Sequence, residues 1–464
     1  MMRFLKKIIN WIDDRSGISE ALAPLLNHLV PSGSQWAYVF GSATLFCFIL
    51  QVATGIGLSL LYQPSSEGAY QSLRYITYQA TMGNTLRAIH YFGASGMIIM
   101  VGIHMLRVYI TAAYKYPREM SWISGVVLLL LTVCMGFTGQ LLRWDDNGVW
   151  SAVVGAEQMG RIPLIGKFIA RLLMGGDTIG GQSLSRFYSY HVFLFPSMLF
   201  VFIGFHLYLV IRNGISEPAK AGRLIDPATY RQWYKDLMKK EGLPFWPYAA
   251  WRDVVFGSLT LITIIVLAVL IGAPHLEKAP DPSIIDTQPR PDWYLLWLYA
   301  LFALMPKQIE SYAMFFGPVA ILFLFFALPF ISNKGERSPI KRPWAIVNSA
   351  ILVIMVVTLL IIGERADWSP AFNSKPLPVS LVSSTDTTAL AGLVLFHDKA
   401  CLYCHKIGNS GGNVGPDLSH VANRLNETQM RIRIINGATK MPAYGPMLKR
   451  EELKELLAFL KTRQ

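Results

Sequence analysis

Two apolar stretches of the sequence each contain two histidines at almost the same spacing. His90 and His104 are 14 residues apart, and His191 and His206 are 15 apart. In helices these steps separate the rings by about 21–22 Å and keep each pair within about 60° of one face. An imidazole in hydrocarbon is costly and usually functional, and its nitrogens bind metals. The pattern predicts two bis-histidine sites stacked through a membrane; the alternative is structural histidines, each bonded to a neighbour.

Glycines on two other apolar stretches repeat this interval. Two pairs, each 14 residues apart, are formed by Gly41 and Gly55, and by Gly125 and Gly139. Because glycine permits a close approach to the backbone, a flat macrocycle fits beside it, and the shared spacing favours two haem levels. Ordinary packing of helices through small residues is the competing explanation.

Arginines flank the histidine-bearing stretches. They are Arg87, Arg107, Arg186 and Arg212. Guanidinium groups at these positions are suited to pair with haem propionates. Snorkelling of the charged heads to the membrane interface explains them equally well.

A different motif lies near the C-terminus. The sequence CLYCH, from Cys401 to His405, has the C-x-x-C-H spacing of c-type haem attachment, in which two thiols bind the haem covalently and the histidine ligates the iron. A zinc or thioredoxin-like C-x-x-C is the alternative, but the chain has only four cysteines and no second such pair to complete a zinc site.

The segment around this motif resembles the small single-haem cytochromes c. The resemblance covers GLVLFHDKACLYCH, NVGPDL and a Met-Pro-Ala loop before the last helix. It implies Met441 as the sixth iron ligand, with Met447 as the alternative. It also implies that the carbonyl of Pro416 accepts a hydrogen bond from the ligating histidine.

The composition indicates which elements must position these residues. Of 464 residues, 53% are hydrophobic and only 15% are charged, which is typical of a membrane protein. Seven runs without a formal charge are long enough to span, at 36–62, 88–106, 120–142, 187–211, 254–273, 311–333 and 343–363. An eighth, 293–306, is too short and predicts an interfacial or buried helix. The basic residues that give the net charge of +13 lie between these runs. We therefore expect them to set the orientation of the chain in the membrane, and we expect no nucleic acid partner.

Lysine and arginine counts predict the orientation. Alternate connections, beginning with the N-terminal segment, hold 19 of these residues, against 10 in the others. The first set is therefore expected to face the cytoplasm. Seven crossings place the C-terminal segment outside, where haem c is attached. His90 and His191 then lie near the outer face, and His104 and His206 near the inner one.

These observations predict an all-α membrane protein with a four-helix di-haem core and a small all-α cytochrome c domain. The predicted parts are an amphipathic cytoplasmic segment (1–35), the di-haem domain (36–218), a cytoplasmic linker (219–253), three further spans (254–363), a Pro- and Ser-rich linker (364–384) and the cytochrome c domain (385–464). The expected location is the bacterial cytoplasmic membrane.

Residues 1–365 resemble cytochrome b of the Rieske/cytochrome b family. The resemblance rests on the paired histidines, the paired glycines and the segment PRPDWYLLW. The spacing of 15 between His191 and His206 and the seven spans are similar to the branch that includes the photosynthetic complexes. The family's quinol-oxidation loop corresponds to PDWY, which implies that Asp292 accepts a proton from quinol while Trp293 and Tyr294 shape the pocket. An aromatic turn at the membrane interface is the alternative.

The resemblance implies a quinol:cytochrome c oxidoreductase that translocates protons. One quinol electron would go to a Rieske iron–sulfur protein and a cytochrome c, and the other through two b haems to an inner quinone site. A Rieske cluster needs two cysteines and two histidines, and only Cys47 and Cys134 remain, so a separate Rieske subunit is expected. We also expect a homodimeric complex. The alternatives are a haem-carrying anchor that connects a dehydrogenase to the quinone pool, and a transporter without redox function.

The chain departs from the family pattern at three positions. Arg143 occurs where the family has proline in LPW, Val39 occurs where the photosynthetic-type branch has a haem-tethering cysteine, and Asp292 replaces the usual glutamate. The valine predicts that no haem is covalently attached to the membrane part. The aspartate favours a low-potential, menaquinone-type substrate.

Overall fold

A computed structural model describes residues 2–176, 179–276, 279–280, 291–365, 374–412, 415–437, 441, 444–445 and 448–464. The chain divides into two compact units. The first contains Met1–Trp144, Gly155–Leu276 and Pro306–Val357, and the second contains Asp145–Val154, Glu277–Met305 and Thr358–Gln464.

The helices that lead to and form the four-helix core follow one another from the N-terminus. They are α1 (Met2–Ser16), α2 (Ile18–Leu26), α3 (Phe40–Ser59), α4 (Ala69–Tyr78), α5 (Gly83–Ile110), α6 (Glu119–Leu141), α7 (Asp146–Gly160), α8 (Gly166–Met174), α9 (Gly181–Ser189) and α10 (Phe195–Asn213). A π-helical turn, Tyr190–Leu194, joins α9 to α10. The short helices α7 and α8 were not predicted from the sequence, since they lie in a connection without a long apolar run.

The remaining helices follow in chain order. They are α11 (Tyr230–Glu241), α12 (Ala250–Ile271), α13 (Trp293–Ala303), α14 (Lys307–Ile331), α15 (Pro343–Arg365), α16 (Thr387–Asp398), α17 (Cys401–Cys404), α18 (Glu427–Asn436) and α19 (Arg450–Lys461). In the part of the chain that the structure describes, seven helical stretches are long and apolar enough to cross a membrane. The predicted all-α class and the seven spans are confirmed, and α13 is the predicted short apolar helix.

The described residues form three two-stranded antiparallel pairs, of which two connect loops that are distant in the sequence and the third is a local hairpin. β1 (Leu29–Pro31) pairs with β3 (Gly242–Pro244), β2 (Leu224–Ile225) with β4 (Gly335–Glu336), and β5 (Lys406–Ile407) with β6 (Ser410–Gly411). The first pair ties the N-terminal segment to the segment predicted as a linker, 219–253. That linker is more ordered than predicted, because it also contains α11.

The centre of the membrane bundle is a cluster of apolar side chains from five helices. Its buried members are Cys47, Phe48, Met97, Leu131, Leu199 and Ile264. Cys47 is fully buried there as a small hydrophobic residue. Cys134, by contrast, is exposed on the surface of the bundle.

The C-terminal segment has its own core, which forms where α16 crosses α19. Phe396 and Phe459 pack with ring centroids 5.5 Å apart. Gly392 permits the crossing, because a Cβ there would lie 2.0 Å from the carbonyl oxygen of Glu455. This close approach places the two helices in backbone contact and closes the core.

A buried polar network joins three loops of the first unit. The guanidinium of Arg337 lies 2.5 Å from the carboxylate of Glu217, and both side chains are at most 4% exposed. The hydroxyl of Tyr230 donates to the same carboxylate at 2.7 Å and accepts from Arg118 at 2.8 Å. Burial raises the pKa of Tyr230, so the phenol stays protonated and can bridge the two charged groups.

Replacement of Glu217 tests how much this network contributes to the stability of the folded protein. Glu217→Gln leaves Arg337 and Arg118 buried without their carboxylate, which is expected to cost about 3–5 kcal/mol. The control is Glu310→Gln, which removes a partly exposed pair with Arg161 at 3.3 Å and should cost at most about 1 kcal/mol. The measurement is thermal unfolding of the detergent-solubilised protein; equal effects of the two variants would contradict this ranking.

Candidate functional site

The two histidines predicted to lie near the outer face, called the outer pair below, are on facing helices. His90 is on α5 and His191 is in the π-helical turn before α10, and their ring centroids are 6.2 Å apart with the ring planes at 74°. Two metal–nitrogen bonds of about 2 Å, together with the distance from each nitrogen to its ring centre, add up to roughly 6 Å. The observed separation therefore fits a single metal ion held between the two rings.

Hydroxyl groups determine which nitrogen of each outer histidine is free. Nδ1 of His90 lies 2.8 Å from the hydroxyl of Thr54, and that hydroxyl donates its own proton to the carbonyl of Leu50 at 2.7 Å. The threonine oxygen must then accept a proton from Nδ1, which leaves Nε2 with a free lone pair. Thr138 does the same for His191 at 3.1 Å, with its proton donated to the carbonyl of Cys134.

One histidine of the predicted inner pair, His206, follows the same rule. Nδ1 of His206 lies 2.8 Å from the hydroxyl of Ser124, which donates to the carbonyl of Ser121. His104 and His206 both line a cavity of about 250 Å³. The hydroxyl residues were missed in the sequence, although a signal was present: Thr54, Ser124 and Thr138 each immediately precede one of the paired glycines.

The four glycines contact the histidines directly. A Cβ at Gly139 would lie 2.7 Å from Cε1 of His191, and one at Gly41 would lie 3.1 Å from Cε1 of His104. The corresponding distances are 3.4 Å for Gly55 to His90 and 3.7 Å for Gly125 to His206. The glycines therefore also make room for the imidazole rings, a role that their spacing alone did not reveal.

The π-helical turn accounts for the longer spacing on the fourth span. A π-helical turn contains one residue more than an α-helical turn. Because of this extra residue, the 15 residue steps from His191 to His206 turn the helix about as far as 14 α-helical steps would. The two histidines on each helix are therefore offset by the same angle around the helix axis, roughly 40°. The inserted residue thus leaves His191 and His206 on one face.

The arginines that flank the histidine-bearing helices differ in whether protein groups already accept hydrogen bonds from them. Arg107 stacks on Tyr38 at 3.8 Å, and its buried Nε has no hydrogen-bond partner among the described residues. Arg87 donates to the carbonyl of Pro274 at 2.8 Å and to Thr77, and Arg186 donates to the carbonyl of Leu172. A free buried donor beside the inner histidines fits an anionic partner such as a propionate.

The C-x-x-C-H motif is arranged for attachment of a haem. Nδ1 of His405 donates to the carbonyl of Pro416 at 2.8 Å, which leaves Nε2 for a metal. Burial raises the pKa of both thiols of the motif, that of Cys401 to about 12. No cluster of metal-binding residues suited to zinc occurs in the described ranges. Met441 packs against the core of this segment, whereas Met447 lies outside the described residues.

Asp292 and Tyr294 of the predicted quinol-oxidation loop are hydrogen-bonded to each other. Asp292 immediately precedes α13, and the hydroxyl of Tyr294 donates to its carboxylate at 3.3 Å. Trp297 donates its ring N–H to the carbonyl of Tyr294 at 2.9 Å. The first turn of the short helix therefore presents a carboxylate and a phenol as one hydrogen-bonded group.

The residues that depart from the family pattern have defined surroundings. Val39 is 2% exposed and lines the inner cavity at the start of α3. Arg143 follows α6, and its guanidinium lies 3.4 Å from the carbonyl of His275. The carbonyl of Leu142, one residue earlier, accepts from the hydroxyl of Tyr62 at 2.8 Å.

Comparison with known proteins gives three family matches along the chain. Cytochrome b/b6/petB matches residues 25–214, Cytochrome b(C-terminal)/b6/petD matches 279–374, and Cytochrome C oxidase, cbb3-type, subunit III matches 388–460. The chain is 37% identical over 214 residues to cytochrome b6 of Synechococcus sp. (strain JA-3-3Ab), covering 46% of this chain and 100% of the relative. The same values hold for cytochrome b6 of Acaryochloris marina (strain MBIC 11017).

A solved structure supports the same conclusion. A chain of "Hyperthermophilic respiratory Complex III" is 27% identical with a TM-score of 0.66, covering 77% of this chain and 91% of that one. The fold and the facing histidines define a multi-pass membrane haem protein of electron transport. The chain belongs to the cytochrome b/b6 family and carries a C-terminal cytochrome c domain. It is an oxidoreductase subunit of a bc-type complex with b-type and c-type haems, as the sequence predicted.

The glycine contacts predict different effects at the two levels. Gly139→Ala forces a Cβ to 2.7 Å from the His191 ring, and overpacking of this kind typically costs about 1–3 kcal/mol. Gly125→Ala meets His206 at 3.7 Å, an ordinary contact. We expect the b-to-c haem ratio, read from reduced-minus-oxidised spectra, to fall toward half in Gly139→Ala and to stay unchanged in Gly125→Ala. Equal losses would contradict this assignment.

Proposed function

We propose that this protein is the cytochrome b and c subunit of a quinol:cytochrome c oxidoreductase. His90 with His191 would hold an outer b haem and His104 with His206 an inner one. The observation that carries the proposal is the 6.2 Å separation of the outer rings, with both Nδ1 atoms already bonded to threonines. This arrangement leaves Nε2 of each ring free for a metal, at a ring separation that fits one haem iron held by both histidines.

Oxidation of a quinol releases two electrons and two protons, and the loop before α13 supplies a proton acceptor. The Asp292 carboxylate takes one proton, while Tyr294 holds the carboxylate in place through its hydroxyl. A carboxylate held in place at this position is a suitable general base for a quinol hydroxyl. The second proton would go to a separate Rieske partner. Such a partner is required because Cys47 and Cys134, the two cysteines outside the C-x-x-C-H motif, lie in membrane spans and cannot supply the ligands of a Rieske cluster.

The four histidines would hold two b haems, which when bound would supply a route across the membrane for one of the two quinol electrons, while the other would leave by the Rieske partner. The chain's own contribution is to keep each imidazole in one tautomer and orientation. At the inner end, the cavity beside His104 and His206 is the proposed place of quinone reduction. Ser34, Tyr38 and Asp253 line it and offer hydrogen-bonding groups.

The cytochrome c domain receives the electron that leaves by the Rieske partner. His405 and Met441 are the residues proposed to hold the haem iron of this domain, and Cys401 and Cys404 would attach the haem covalently. The Pro416 carbonyl orients the histidine by accepting from Nδ1 at 2.8 Å. The domain is proposed to face the outside of the bacterial cytoplasmic membrane, on the basis of the distribution of lysine and arginine.

Substitution of Asp292 tests the site of quinol oxidation. Asp292→Asn preserves the volume and removes the base, and the rate should fall toward the low end of about 10² to 10⁴-fold because water relays protons in part. Asp292→Glu retains the base and is the control, with most of the activity expected. Quinol-driven reduction of b haems and haem c is followed in one preparation, and both should slow together. Full-speed reduction of haem c in Asp292→Asn would remove Asp292 from this role.

Protease accessibility tests the orientation. Because the predicted linker 364–384 lies between the last span and the cytochrome c domain, protease added to intact spheroplasts should release a small fragment that carries covalent haem. The large membrane fragment should not stain for covalent haem, since Val39 replaces the tethering cysteine. Protection of the small fragment until the membrane is broken would reverse the orientation.

A further inference from the structure

One polar atom in the membrane bundle is buried without a partner and lies apart from the inner cavity. Four buried side-chain nitrogen or oxygen atoms have no hydrogen-bond partner among the described residues. Three of them belong to Ser34, Arg107 and Ser216, which line the inner cavity. The fourth is Nε2 of Gln51, on α3, which is not part of that cavity's lining.

The position of Gln51 relates it to the outer histidines. Gln51 comes four residues before Gly55, which contacts His90. The backbone carbonyl of Gln51 accepts a hydrogen bond from the Thr54 hydroxyl at 3.3 Å. The same Thr54 hydroxyl accepts from His90. At about 1.5 Å per residue, Gln51 lies roughly 6 Å inward of the Gly55 level. The carboxamide is therefore between the two histidine levels and closer to the outer one.

The facing helix leaves space for this carboxamide. A Cβ at Gly93 on α5 would lie 2.1 Å from Nε2 of Gln51. Gly93 comes three residues after His90, so the amide N–H end of Gln51 reaches the backbone of the helix that bears the outer ligand. A buried amide without an acceptor is unfavourable in hydrocarbon, and a glycine that accommodates it weakens helix formation. A buried amide nitrogen without an acceptor among the described residues, beside a glycine that accommodates it, favours a partner that the polypeptide itself does not supply.

We propose that Gln51 is a positioning residue for the outer b haem, whose amide N–H end raises the reduction potential of that haem. The inference rests on the proposed function, in which His90 and His191 bind this haem. The positive end of an amide dipole stabilises a nearby added electron, and the interaction is strong because the surroundings are apolar. Gln51 would thus make the outer haem a better acceptor for the electron that leaves quinol.

The test is a redox titration of the complete membrane protein in detergent, followed in the α-bands of the b haems. Gln51→Met retains the length of the side chain and removes the amide. At the potential where the outer haem of the unaltered protein is half reduced, the oxidised-to-reduced ratio should rise by about two- to tenfold, where tenfold corresponds to 59 mV for one electron. The potential of the inner haem and the haem content should not change.

Two further variants keep the result interpretable. Thr44→Val is the control on the same helix, because the Thr44 hydroxyl already donates to the carbonyl of Phe40 at 2.9 Å and its loss should leave the outer haem potential unchanged. Gly93→Ala displaces the carboxamide while Gln51 is retained, and should shift the outer haem in the same direction as Gln51→Met.

The outcomes separate this inference from the proposed function. An unchanged outer potential in both Gln51→Met and Gly93→Ala would overturn the inference, as would an equal shift of both b haems. If the unaltered protein lacks two b-haem components in the titration, the proposed function itself fails, and the inference fails with it.

Discussion

The hydrogen bond from Nδ1 of a membrane histidine to a hydroxyl on the neighbouring helix is the interaction on which this structure depends. A neutral imidazole has two tautomers, and only one of them presents Nε2 as a ligand. In hydrocarbon no water is available to hold the ring, so a protein group must do so. Thr54, Ser124 and Thr138 provide it, and each can accept from the histidine because its own proton is donated to its helix backbone.

This requirement determines how closely the helices approach. A serine or threonine reaches the ring only if the next residue on that helix face does not obstruct it, and glycine meets that condition at Gly55, Gly125 and Gly139. The hydroxyl–glycine dipeptide therefore combines a hydrogen-bond acceptor with space for the ring. The π-helical turn at His191 serves the same geometry, since it absorbs one residue and keeps both histidines of α10 and its preceding turn on one face.

The cytochrome c domain applies the same principle with different groups. His405 is held through Nδ1 by a backbone carbonyl, that of Pro416, and Gly415 lies against the ring, where a Cβ would be 2.5 Å from Cε1. In both parts of the chain, a glycine and an acceptor fix the imidazole before any metal is bound. Preorganisation of this kind reduces the entropy lost when the metal binds.

The sequence by itself determined the seven spans and the C-x-x-C-H motif and predicted the two histidine levels, because each depends on local periodicity or on residues close together in the chain. The partners of the histidines could not be read in this way: Thr54 is 36 positions from His90, and Ser124 is 82 positions from His206. The helices α7, α8 and α11 were also missed, since they lie between the membrane spans and have no long apolar run. Only the tertiary structure decided that the glycines meet the histidines, that a π-helical turn accommodates the extra residue, and that Nε2 of Gln51, beside Gly93, has no hydrogen-bond partner among the described residues. These facts depend on how separate helices pack, which no spacing within one helix encodes.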